Sequence, residues 1–188
     1  LTFSDLPAVT RSFHLEYLHR SLYSRNKHHL MRNTNASPTC PHCNELGTSA
    51  HILNDCFLAQ MIKRVFKAFF KYKNWRNDLI MDETYLEFFW WIPKVWSHRE
   101  YKELWMVWAE VRRHAHACDF LPRFERFGPQ HFMAKMQTAF RLAAEVAYSN
   151  RFKLATELCD YVIDIDLGQC HSWYRDIERQ TRRTASHH

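Results

Sequence analysis

Cys40, Cys43, His51 and Cys56 stand at C-x2-C-x7-H-x4-C spacing, a ligand set for one tetrahedral zinc ion. Zinc draws thiolates and a neutral imidazole to about 2.0–2.3 Å, and a C-x2-C turn delivers two of them from one bend. Cys40-Pro41-His42-Cys43 is such a bend, with Pro41 pre-setting φ so that the second thiolate returns toward the first. His51 and Cys56 sit five apart, a little more than one helical turn, in a stretch whose continuation reads as helix. Three thiolates and one imidazole fill all four zinc positions and leave none for water, so the expected role is structural. The competing reading is a pair of unrelated thiols and a surface histidine, in a chain with 6 Cys and 13 His.

Other chemistry is sparse. Polymerisation on two Mg²⁺ ions needs a paired carboxylate turn, and no Asp-Asp pair occurs in the sequence. Asp164 and Asp166 alternate on a short run and read as a solvated face or turn cap. His114, His116 and Cys118 with Cys170 and His171 form a second conceivable ligand set, although alternating His-x-His suits a strand and this stretch has helical periodicity.

The elements that must position the cluster are helical. Apolar Val9, Phe13, Tyr17, Leu18 and Leu22 recur at three and four, predicting a helix over 9–22 with Arg11, His14 and Arg20 off the stripe. A short helix over 24–31 has Ser24 as N-cap and carries Arg25, Lys27, His28 and His29; a polar loop then leads into Cys40. Over 58–72, Leu58, Ile62, Val65, Phe66, Phe69 and Tyr72 share one face, and Lys63, Arg64, Lys67 and Lys71 line the other. The pattern further predicts helices from Asp82 or Thr84 toward Pro93, over 97–114 with Ser97 as cap, and over 130–149, 150–163 and 172–183, with a break at 164–168. Trp105 and Trp108 share a face with Leu104 and Val111 and belong to the core.

Six cations fall between Leu58 and Arg76 with no carboxylate among them, whereas an ordinary solvated helix mixes Glu with Lys. Lys63, Arg64, Lys67, Lys71, Lys73 and Arg76, extended by Arg25, Lys27 and Arg32 across the metal loop, are therefore the candidate phosphate contacts. Trp75, between Lys73 and Arg76, is the stacking candidate. The plainer alternative is a solubilising face or a dock for an acidic neighbouring domain.

Composition agrees with this picture. The chain has 188 residues, 46% hydrophobic and 15% aromatic, enough for a substantial core, and only 3 Gly, which favours helices over hairpins. Net charge is +6. Lys or Arg interrupts every long apolar stretch, so no membrane span is expected. A first residue of Leu1 without a leader suggests a piece of a longer polypeptide, and the cysteine pattern suggests reduced, intracellular thiols.

Two flanks now agree with the metal spacing. Phe13-His14-Leu15-Glu16-Tyr17-Leu18-His19-Arg20-Ser21-Leu22, Asn26-Lys27-His28-His29-Leu30, then Cys-Pro-His-Cys through Ala50-His51-Ile52-Leu53-Asn54-Asp55-Cys56, resemble the zinc-binding region downstream of the polymerase in reverse transcriptases of non-LTR (LINE-type) retrotransposons. That family runs C-P-x-C and then Glu-Thr-x-x-His-Leu-Phe-x-x-Cys; Glu45 and Thr48 echo the spacer, although Gly47 intervenes. The resemblance covers about residues 10–75, with a looser echo at Leu104 to Arg113, and leaves the C-terminal third unmatched. It implies a parent polyprotein that nicks DNA and copies its own RNA at the nick, with an upstream polymerase domain as partner and the nucleus as location. The Pro-Asp and Asp/Glu-x-Lys nuclease signature that follows the zinc motif in a related lineage is not in this sequence.

The expectation is thus a mainly α protein: a zinc-stabilised helical region with a CCHC knuckle over 1–77, followed by an aromatic-rich helical bundle over 78–188. Its expected function is to grip template RNA or target DNA during target-primed reverse transcription, without catalytic residues of its own. An all-helical protein-interaction scaffold that uses zinc only to hold its shape is the alternative.

Overall fold

Apolar residues at helical spacing build α3 (Phe57–Tyr72), whose nine buried residues run from Phe57 to Phe70. Each Leu- or Phe-sized side chain so buried contributes about 1.5–3 kcal/mol, which far outweighs the propensity differences within the helix. The structure, a computed structural model, describes residues 7–19, 21–32, 37–40, 43–73, 97–119, 129–165 and 167–185. The other elements are α1 (Ala8–Leu18), α2 (Arg25–Arg32), a π-helical turn (His51–Asp55), α4 (His98–Asp119), α5 (Pro129–Ser149), α6 (Lys153–Ile163) and α7 (Leu167–Ala185). Among the described residues there is no strand, and the mainly helical expectation holds. The helix expected toward Pro93, Trp75 and Arg76 lie outside the described residues.

Helix α4 is the central element, packed against α1, the π-turn, α3, α5 and α6. Its start is a capping box: Glu100 N–H donates to Ser97 Oγ at 3.1 Å, and Ser97 N–H donates to Glu100 Oε2 at 2.8 Å. Trp105 and Trp108 are buried, as their spacing predicts, and Phe66 meets Trp108 edge-on at 5.0 Å. One core joins α3 to α4–α7 and takes in Cys40 and Cys56.

Buried polar groups fix how the helices meet. Glu103 of α4 accepts from the backbone N–H groups of Leu154 at 2.6 Å and Ala155 at 3.2 Å, so it caps α6 from another helix, and Arg99 Nε donates to it at 3.0 Å. Glu110 accepts from Thr10 Oγ1 of α1 and from Arg113.

Several boundaries and faces depart from the sequence expectation. Helix α1 is shorter, and its buried side is Thr10 and His14 rather than Val9, which is 64% exposed. The reason is chemical: α4 offers Glu110 to Thr10 and the Trp105 ring, edge-on at 5.3 Å, to His14, so polar side chains win the inner face. Helix α6 starts at Lys153 instead of continuing from residue 150. Arg151 adopts a left-handed φ of 55°, Phe152 N–H bonds Ala147 O at 2.9 Å and Arg151 N–H bonds Tyr148 O at 3.1 Å, a Schellman stop made without glycine. Helix α7 starts before Gly168, which its first turn tolerates.

Candidate metal centre

The metal loop is built in two halves. In the first, Thr39 and Leu46 form an isolated antiparallel bridge, with Cys40 N–H donating to Glu45 O at 2.7 Å and Gly47 N–H to Pro38 O at 2.9 Å. Asn44, just after the second cysteine, sits at φ 64° and donates its N–H to Cys40 O at 3.0 Å, which closes the turn. Asparagine tolerates that left-handed region better than a bulky residue. A Cβ at Gly47 would come within 3.0 Å of both Arg25 Cβ and Pro38 O, so glycine lets α2 lie directly on the loop, where Asn26 N–H bonds Gly47 O at 3.1 Å. Pro41 and His42, expected to shape the bend, lie outside the described residues.

The second half is the π-turn. Cys56 N–H donates to His51 O at 2.7 Å, an i→i+5 bond that gives the five-residue separation its physical basis. Thr48 Oγ1 accepts from His51 N–H at 3.1 Å, and Ser49 Oγ donates to Leu22 O at 3.0 Å, tying the turn to the segment before α2. Asn54 faces the core: its Oδ1 accepts from Arg112 Nη2 of α4 at 2.9 Å, and its backbone O accepts from Gln60 Nε2 at 3.2 Å.

These two halves bring Cys40, Cys43, His51 and Cys56 together, with their ligand atoms all within 4.8 Å of one another. The Cys40 and Cys56 sulfurs are 3.5 Å apart, and Cys43 Sγ lies 3.0 Å from His51 Nε2. Cys40 and Cys56 are buried; Cys43 and His51 are half-buried. Hydrogen bonds from Cys40 and Cys56 lower the Cys43 thiol to about 4 against the opposing effect of burial. Cys56 is pushed well above the usual thiol range by its hydrogen bonds with Cys40 and Cys43 and by burial. Burial lowers His51, but the hydrogen bond and charge of Cys40, together with the charges of Asp55 and Glu45, outweigh it and its pKa is raised. Sulfur at this density ionises completely only with a cation in its midst, and the group could hold one metal ion.

His114, His116 and His171, the described members of the second conceivable ligand set, form no metal-holding group with one another. His116 Nε2 contacts Tyr23 O at 2.6 Å, and His114 lies 3.8 Å from Glu110. The side chains of Cys118 and Cys170 lie outside the described residues.

Lys63, Lys67 and Lys71 lie at four-residue spacing on the outer side of α3, the last two exposed. Two cations of this region meet acids from elsewhere in the chain: Arg64 Nη1 of α3 is 3.4 Å from Asp176 of α7, and Nζ of Lys73, the residue that ends α3, is 2.8 Å from Glu157 of α6. The helix is acid-free in sequence but not in its surroundings. Arg25 and Lys27 are half-buried on α2, and Lys27 Nζ donates to Ser21 O at 3.2 Å. Arg32 ends α2, with its side chain outside the described residues. Tyr72, assigned by periodicity to the apolar face, is 66% exposed.

Comparison with protein-family models, with curated proteins and with solved structures finds no match. Among the described residues, no helix is long and apolar enough to cross a membrane.

Proposed function

We propose that the chain is a zinc-stabilised nucleic-acid-binding segment of a non-LTR retrotransposon reverse transcriptase, which grips template RNA or target DNA beside the polymerase domain. The observation that carries this reading is the four-ligand cluster joined directly to α3 and its outer lysine ridge. Zinc bonds of about 2.0–2.3 Å place tetrahedral neighbours roughly 3.3–3.8 Å apart. The 3.5 Å between Cys40 and Cys56 is slightly under the ~3.8 Å sulfur–sulfur edge and the 3.0 Å between Cys43 and His51 is under the ~3.5 Å sulfur–nitrogen edge, so an ion would open both pairs by a few tenths of an ångström. Three sulfurs and one nitrogen are a donor set that suits zinc over oxygen-seeking magnesium or calcium. With four protein ligands the ion would hold the knuckle against the start of α3.

Lys63, Lys67 and Lys71 supply the phosphate-facing charge, with Arg25 and Lys27 on the other side of the loop. Each phosphate neutralised on a single strand adds about 0.7 to the slope of log K against log salt, so three contacts give a slope near −2. A salt titration of RNA and DNA binding, with metal analysis of the same sample, tests the reading. We expect one zinc per chain, the stated slope, and loss of binding on charge reversal of Lys63, Lys67 and Lys71; unchanged binding after reversal sinks it.

A second reading is a protein-interaction scaffold. Its support is the partial neutralisation of α3 by Asp176 and Glu157, together with exposed Val9 and Leu15 on α1 and Leu30 and Met31 on α2. Nuclease-resistant recovery of one stoichiometric protein partner favours it.

A further inference from the structure

We propose that Tyr72 is a base-stacking platform, which makes the α3 ridge a site for single-stranded nucleic acid in particular. The inference rests on the polyanion reading above and narrows it to one class of ligand. Phe57, Phe66, Phe69 and Phe70 of the same helix are all buried, and Tyr72 stands apart from them. Its ring is backed from within the fold: the Tyr161 ring of α6 lies 5.2 Å away at 32°, and the Phe69 ring lies 6.3 Å away at 29°. An aromatic ring supported behind and open in front offers a π-face to any base, whatever its sequence.

Charge borders that face. Tyr72 follows Lys71 and sits about 100° round the axis from it, between the apolar stripe and a ridge whose lysines recur about every 6 Å along the helix. The nearby carboxylate Glu157 is held by Lys73 at 2.8 Å, which reduces its repulsion of phosphate beside the ring. Bases inside a duplex are stacked on one another and cannot lie on such a ring without being extruded, whereas a single strand presents them freely.

The test compares three probes by fluorescence anisotropy: a short uridine oligonucleotide, a blunt DNA duplex, and long-chain inorganic polyphosphate, which carries charge without bases. Tyr72→Ala is expected to weaken the oligonucleotide roughly 5- to 100-fold and leave the other two unchanged, with Tyr72→Phe behaving as wild type. The double reversal Lys67→Glu with Lys71→Glu is expected to weaken all three. If Tyr72→Ala binds the oligonucleotide as wild type does, or loses polyphosphate equally, stacking is wrong while a loss on charge reversal keeps the polyanion reading. If charge reversal changes none of the probes, both fall together. Because Tyr72 is exposed, circular dichroism should show each Tyr72 variant folded.

Discussion

Arg112 of α4 reaches into the metal loop and donates from Nη2 to Asn54 Oδ1 at 2.9 Å. Asn54 lies between His51 and Cys56, and Arg112 is itself buried, with its guanidinium 4.7 Å from the Tyr17 ring centroid and 5.4 Å from that of Trp108. The loop that carries two ligands is therefore anchored to the central helix by a charge-assisted bond. Asn54→Ala removes an acceptor from a buried cation and should cost about 2 kcal/mol of stability. Metal affinity, measured by competition with a chromophoric chelator, should fall alongside the thermal midpoint; an unchanged affinity separates the anchor from the ligands.

Gly47 makes a sharper prediction about the same loop. Its missing Cβ would meet Arg25 Cβ and Pro38 O at 3.0 Å, and Pro38 O already accepts the Gly47 N–H. Gly47→Ala should cost about 1–3 kcal/mol through displacement of α2 or the bridge. Thermal denaturation with and without a chelator checks it, and the difference from wild type should shrink once the metal is removed and the loop is no longer pinned.

Glu103 predicts an effect far from the cluster. Glu103→Ala strips both acceptor contacts from the first N–H groups of α6 and should destabilise by about 2–3 kcal/mol, whereas Glu103→Gln, which keeps an acceptor, should cost less. Urea unfolding of the two variants gives the comparison, and hydrogen exchange should show the loss first at Leu154 and Ala155.

Acid should weaken the α1–α4 contact through His14. Burial and the neighbouring Arg112 lower its pKa to about 4 from 6.5. The folded state then binds fewer protons than the unfolded chain between these values, so stability is complete above about pH 6.5 and falls as pH drops toward 4. The loss amounts to about 3 kcal/mol at most. Melting wild type and His14→Gln in parallel isolates this histidine from the protonation of metal ligands: the variant should lose less on acidification, and parallel pH profiles would dismiss the role.

Much of the architecture was legible in the chain. The stripe of α3, the Ser97 and Ser24 starts and the burial of Trp105 and Trp108 follow from spacing that tertiary packing reinforces. The convergence of Cys40, Cys43, His51 and Cys56 was legible because thiolate spacing is a strong constraint. Several of the features that periodicity missed have a deciding partner far along the sequence. Thr10 and His14 turn inward because of Glu110 and Trp105, Arg64 meets Asp176 across 112 positions, and Arg112 finds Asn54. The stop before α6 was hidden because Arg151, a residue with no turn preference, takes the left-handed role normally marked by glycine. Tyr72 was misplaced because a residue at the last turn of a helix keeps the phase of the apolar stripe after the core has ended.

The unequal depth of the ligands has a kinetic consequence. Cys40 and Cys56 belong to the interior, while Cys43 and His51 keep one side toward solvent. An ion seated there would exchange through the outer pair, with the inner sulfurs holding it until last. Removal by a chelator should then proceed through a mixed complex, at a rate that rises with chelator concentration instead of waiting for the whole protein to open.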